Sequence, residues 1–188
     1  QMRVLKLIAL YTALALSANS AAAGIDEAQP LREGTMKKLL FHGLGKNTSD
    51  AVITDAEGNE FTLADWGGKY VVLNFWATWC APCRKEMPAL DALQAELGSE
   101  SFEVVTIATG KNPLPAITKF FDENGIENLP ILLDPKTELS RGMSALGLPV
   151  TMILHPNGLE IARMQGDAEW SGESAIAVLR ALMDLPDS

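Results

Sequence analysis

At 188 residues, 47% of them apolar, the chain holds enough material for one well-filled domain and would be cramped as two. Its net charge of −9, with no cluster of lysine and arginine and no basic-aromatic stripe, argues against a nucleic-acid partner. Two cysteines, three residues apart, cannot staple a fold, so the apolar core must carry stability.

Arg3 and Lys6 precede the uncharged run Leu7 to Leu16, which small residues follow as far as Ala21-Ala22-Ala23. A positive end, a short apolar middle and an A-x-A site predict a secretory signal peptide over residues 1–23, with an uncleaved membrane anchor as the alternative. Either reading places the rest of the chain in an extracytoplasmic space, where oxidised partners are met. Residues 24–50 read as an N-terminal extension, polar and weakly periodic, with Met36, Leu39 and Leu40 at helical spacing. The main domain is expected over residues 51–188. It opens with a hairpin from Ala51 to Thr62 around Glu57-Gly58-Asn59, and Gly67-Gly68 then turns the chain into the next strand.

Tyr70 to Trp76 is almost continuously apolar, the pattern of a parallel strand covered on both faces. Asn74 breaks the run and, at period two, shares a face with Val72 and Trp76. The strand leads into Cys80-Ala81-Pro82-Cys83 at the mouth of a helix predicted to run to Leu97, with Met87, Leu90, Leu93 and Leu97 on its core face and a kink at Pro88. At that spacing the cysteine Cα atoms should lie about 5 Å apart, within disulfide reach. The free N–H groups and dipole of a helix N-terminus favour thiolate on Cys80, and Cys83, one turn deeper, is placed to resolve a mixed disulfide. Pro82 fits a first helical turn because its missing N–H would be unpaired there. A lone CxxC with His42 and His155 far off in sequence is a poor zinc site.

Further along, Phe102 to Thr109 reads as a strand and Pro113 to Asn124 as a crossover helix stopped by Gly125. A short strand from Leu129 to Asp134 and a helix from Thr137 to Leu146 follow, leading to Gly147-Leu148-Pro149-Val150. A hairpin of Thr151–His155 and Leu159–Gln165 turns at Pro156-Asn157-Gly158. The closing helix, Trp170 to Met183, should face Ile176, Leu179 and Met183 inward, with His155 at a strand end on the surface and Met143 and Met152 in the core.

The stretch NFWATWCAPCRKEMPALDALQ resembles the thioredoxin superfamily, and within it the TlpA/ResA-type thiol:disulfide oxidoreductases of the periplasm or membrane surface; the similarity runs from about Ala51 to Met183. The resemblance implies an α/β thioredoxin-like fold, a central mixed sheet flanked by helices with an N-terminal β-hairpin extension. Many thioredoxins hold a buried carboxylate six positions before the first cysteine, where this chain has Asn74. The TlpA and ResA group carries a carboxylate at the position of Glu86, which makes Glu86 the candidate for the absent acid. The alternative is a solvated helix glutamate. The resemblance also implies a cis bond before Pro149 beside the CxxC, leaving the Leu148 backbone free for an extended peptide.

Trp76, Trp79, Pro82, Leu148 and Pro149 are then expected to line the substrate lip, with Cys80, Cys83 and Glu86 as the catalytic set and no cofactor beyond the cysteine pair. By resemblance the activity is reductive, recharged by a membrane thiol donor of the CcdA or DsbD kind. Its partners would be apocytochrome c, a Sco-like copper chaperone or the copper subunit of cytochrome oxidase, met by a monomer. Three alternatives stand beside it: a DsbA-like oxidase or isomerase, a copper-binding chaperone using the two cysteines as soft ligands, and a redox-inert binding module.

Overall fold

The structure is a computed structural model and describes residues 24–184. The expected leader, residues 1–23, lies outside them. Among the described residues no helix is long and apolar enough to cross a membrane.

Eight strands form one mixed sheet in the order β1-β8-β7-β4-β5-β6-β2-β3. They are β1 (Leu40–Lys46), β2 (Ile53–Asp55), β3 (Glu60–Phe61), β4 (Tyr70–Trp76), β5 (Phe102–Thr109), β6 (Leu132–Asp134), β7 (Val150–Leu154) and β8 (Glu160–Gln165). After β1 the α-helices of the described residues are α1 (Ala81–Leu97), α2 (Leu114–Asn124), α3 (Glu138–Gly142) and α4 (Glu173–Leu182). This is the thioredoxin-like α/β arrangement implied by the sequence. Its middle strand, β4, pairs parallel with β5 and antiparallel with β7. Because β4 is covered on both sides, its alternating residues feed two cores: Val72 and Trp76 join the core lined by α1, α2 and α4, and Val71, Leu73 and Phe75 pack on the other face. The strand therefore ends in a fixed place, and so does the cysteine loop that follows it.

Helix α1 buries Met87, Leu90, Leu93 and Leu97, the predicted stripe. At roughly 1.5–3 kcal/mol for each fully buried side chain, this stripe is a main anchor of the site, and Leu90→Ala would cost about 2–5 kcal/mol. Pro88 lies inside the helix and is accommodated without ending it. Helix α2 stops at Gly125, whose φ of 63° is the left-handed cap that glycine adopts without strain.

Four expectations are corrected. Residues 24–50 are part of the domain rather than an appendage: β1 pairs with β8 at the sheet edge, and Met36 and Leu39 are fully buried in the α1/α4 core. The helix predicted from Thr137 to Leu146 is only Glu138–Gly142, since glycine ends it and Ser144 turns left-handed at φ 53°. The strand predicted from Leu129 forms only from Leu132, two residues after Pro130. In α4 the buried face is Ala175, Val178, Leu179 and Leu182, while Ile176 and Met183 sit at its margin. With Ala175 fully buried, the stripe is rotated by one residue from the one centred on the larger side chains.

Candidate active site

Cys80 and Cys83 are joined in a disulfide with Cα atoms 5.3 Å apart. Cys80 is the N-cap of α1, and its Sγ accepts a hydrogen bond from the Cys83 backbone N–H at 3.3 Å. The cap places sulfur where negative charge is favoured by the helix end, so thiolate on Cys80 gains a donor already in position. What surface the pair retains belongs to Cys80, 6% exposed, against 0% for Cys83. The opening is narrow, and it selects Cys80 as the atom a partner can reach.

The approach to the cap is pinned from both sides. Asn112 Oδ1 accepts from the Thr78 backbone N–H at 2.7 Å and from its hydroxyl at 2.9 Å, and the Arg84 guanidinium donates to the Thr78 carbonyl at 2.6 Å. Asn112 in turn donates to the Thr109 carbonyl at the end of β5. No motif in the sequence singles out Asn112; it was not among the expected site residues.

Behind the cysteines, Glu86 is 2% exposed on the inward face of α1. Its Oε1 accepts from Asn74 Nδ2 at 2.8 Å, and its Oε2 accepts from the Ala168 backbone N–H at 3.1 Å and the Trp170 indole N–H at 3.2 Å. Burial pushes its pKa up to about 7 from an ordinary 4.5; these three donors hold it down and the nearby Asp167 carboxylate adds to the rise. The surface-glutamate reading is thereby excluded. Asp167 itself is held low by Lys85, 3.0 Å away, an ion pair that fastens the loop carrying Ala168 and Trp170 to the outside of α1. Lys38 also donates to the Asp167 carbonyl. Neither Ala168 nor Trp170 was a site candidate; the usable signal was general, that a buried indole N–H needs an acceptor.

The peptide bond between Leu148 and Pro149 is cis. Val150 pairs with Phe75, so Pro149 stands at the end of β7 beside the end of β4, the end from which the cysteine loop departs. Pro149 is buried, Leu148 half-buried, and Trp79, 64% exposed, and Pro82 face solvent. Trp76 does not join them. It is 1% exposed, stacked on Phe121 with ring centroids 5.9 Å apart and tilted against Phe120 at 5.5 Å, so its place in the lip is withdrawn. The cause is the strand period: Trp76 falls on the Asn74 face, under helices, whereas Trp79 lies in the loop beyond.

His42 is engaged elsewhere, its Nε2 2.8 Å from Glu160, and His155 packs its ring on Tyr70. Among the described residues no group of three or more His, Cys, Asp and Glu side chains is placed to hold a metal.

The model of the AhpC/TSA family matches residues 44–161. The chain belongs to this family of the thioredoxin superfamily. Over 115 residues it is 34% identical to the thiol-disulfide oxidoreductase ResA of Geobacillus kaustophilus, a match covering 61% of this chain and 65% of that protein. With ResA of Bacillus thuringiensis subsp. konkukian it shares 30% identity over 137 residues, 73% of this chain and 78% of the relative. Among solved structures it is similar to a thiol:disulfide interchange protein DsbE from Chlorobium tepidum, with TM-score 0.64 and 27% identity across 73% of this chain and 96% of the other. An exposed lipoprotein thioredoxin of Streptococcus pneumoniae is similar too, with TM-score 0.59 and 26% identity across 73% and 100%.

Proposed function

We propose that this chain is an extracytoplasmic thiol:disulfide oxidoreductase working as a reductase of partner-protein disulfides, with Cys80, Cys83 and Glu86 as its catalytic set. The observation that carries the reading is the layered arrangement of Cys80 Sγ on the helix cap, Cys83 beneath it, and a buried carboxyl one turn further whose proton affinity lies near neutrality.

The chemistry follows from that layering. In the dithiol state Cys80 thiolate attacks one sulfur of the partner's disulfide, forming a Cys80–partner bond and releasing the other partner sulfur as a thiolate that takes a proton from water. Cys83 then loses its proton to the Glu86 carboxylate and attacks Cys80 Sγ, freeing the second partner sulfur. Two electrons pass to the partner, and the enzyme is left with the Cys80–Cys83 bond seen here. A membrane dithiol donor of the CcdA or DsbD kind would return it to the dithiol. The exposed Trp79 and Pro82, with Leu148 and Pro149 across the cap, would receive the partner's chain.

The ResA relatives support thiol:disulfide exchange; the reductive direction draws on the resemblance to the TlpA/ResA group and on Ala81-Pro82 between the cysteines, where no histidine favours the reduced form. The relatives, with the leader-like residues 1–23, support an extracytoplasmic site of action; apocytochrome c or copper-site proteins as partners follow only from the resemblance of the cysteine stretch to the TlpA/ResA group. Replacing Cys83 by Ala and identifying the mixed disulfides that persist on Cys80 tests the whole reading. Capture of an apocytochrome, a copper chaperone or an oxidase copper subunit supports it. A broad harvest of unrelated secreted proteins would point to an oxidase or isomerase, and no covalent capture would overturn the enzymatic role.

A further inference from the structure

Beside the cysteine loop lies a groove whose lining carries more cations than carboxylates, although the chain as a whole is acidic. It runs from Trp79 and Ala81 across to α2, and its lining includes three cations, Arg84, Lys85 and Lys119, against the single carboxylate of Glu123. The protein bears a net charge of −9. Of the three cations, Lys85 is engaged by Asp167 at 3.0 Å and Lys119 meets Glu123 only at 3.7 Å, both lysines remaining largely exposed. Arg84 is exposed and makes no ion pair among the described residues; its guanidinium is anchored by one nitrogen on the Thr78 carbonyl, leaving the rest of the fork free. The aromatic floor is supplied by exposed Trp79 and half-buried Phe120.

We infer that this groove receives a partner segment bearing acidic side chains next to its reactive disulfide. The inference rests on the oxidoreductase reading above and adds the chemistry of the partner to it. The physical argument is one of range. At physiological ionic strength charges separated by more than about 8 Å are largely screened, so the global negative charge acts weakly on a docked segment while Arg84 and Lys119 act at contact. An arginine fork suits a carboxylate in two-point geometry, and Trp79 offers apolar surface beside it. Net charge alone dictates the opposite preference, for basic partners, which makes the two expectations separable.

The test uses the reduced protein and three synthetic peptides closed by the same disulfide loop, flanked by aspartate and glutamate, by serine and glutamine, or by lysine. Second-order rates of reduction are measured at 0.15 M and 1 M salt. The acidic peptide should react about tenfold faster than the basic one at 0.15 M, the gap narrowing at 1 M. Lys119→Glu should lower the acidic-to-neutral rate ratio severalfold, whereas Lys46→Glu, on the edge strand β1 outside the groove and equal in its effect on net charge, should leave that ratio in place. Arg84→Ser should act in the same direction as Lys119→Glu. Equal rates for the acidic and basic peptides, a faster basic peptide, or equal effects of Lys119→Glu and Lys46→Glu would overturn the inference while leaving the enzyme reading intact. Failure to reduce even the neutral peptide would instead remove the enzyme reading on which it rests.

Discussion

The side-chain amide of Asn74 donates to Glu86 Oε1 at 2.8 Å, and both side chains are closed off from solvent. The acid missing from the strand is thus met at the same spot by an acid reaching down from the helix. Asn74 Nδ2 spends its second hydrogen on Thr151 Oγ1, also at 2.8 Å, while Asn74 Oδ1 has no partner among the described residues. That orientation fits an ionised Glu86. Turning the amide over would offer Oδ1 to a protonated Glu86 and to the Thr151 hydroxyl, so one asparagine can serve both protonation states, which a hydrophobic residue could not.

Glu86→Gln tests the proton-acceptor role. In the parent protein the resolving step should accelerate as pH rises through about 7, where Glu86 becomes a base. The variant should lose that inflection and resolve mixed disulfides roughly a hundredfold more slowly above neutrality, a fall within the usual range for general-base catalysis. Stopped-flow release of a chromogenic thiol across pH 5–9 reads this directly; retention of the inflection would return the residue to a structural role.

The same carboxyl makes stability depend on pH, with a definite sign. Its folded-state pKa is raised, so the folded protein binds more protons than the unfolded chain between about 4.5 and 7, and stability is full below that window and falls as pH rises through it. The loss amounts to roughly 3 kcal/mol once Glu86 is ionised in both states. Urea unfolding at pH 4.5 and pH 8 should show this decline in the parent and a much flatter line for Glu86→Gln, whose amide can be met by a turned Asn74. Parallel lines for the two proteins would contradict the assignment.

Trp170 acts on the chemistry through Glu86. Its fully buried indole gives Glu86 Oε2 one of its three donors, and a hydrogen bond to a charged group is worth about 1.5–3 kcal/mol. Trp170→Phe should move the inflection in the resolving step upward by about one pH unit or more, in addition to lowering the melting temperature. A merely structural tryptophan would change the second quantity alone.

How much of this was legible depended on where each residue's alternatives lay. Strands β4 and β5 came out with the expected limits because continuous apolar runs bounded by polar turns leave little choice of register. Asn74 stood out as the polar residue in such a run, and it does mark the site. The α4 face was not decidable, since Ile176-Leu179-Met183 and Ala175-Val178-Leu179-Leu182 both have helical spacing, and only packing against the sheet favours the second. Trp170 and Ala168 reach the site from distant segments through one hydrogen bond each and Asn112 through two, and nothing local in their sequence neighbourhoods encodes such contacts.

Trp79 separates docking from folding. The residue is 64% exposed immediately before Cys80, so it buries little in the folded protein, and Trp79→Ala should change stability by no more than about 0.5 kcal/mol. Against a protein disulfide, however, an aromatic anchor at the centre of an interface commonly costs about 2 kcal/mol or more when truncated, a slowing of roughly thirtyfold if the contact is made in the transition state. A small disulfide such as a hydroxyethyl one cannot span from sulfur to indole and should react with the variant at nearly the parent rate. The ratio of the two rates, protein substrate over small disulfide, is therefore the measurement: it should fall more than tenfold in Trp79→Ala, and an equal loss on both substrates would mean that Trp79 shapes the helix cap and not the partner surface.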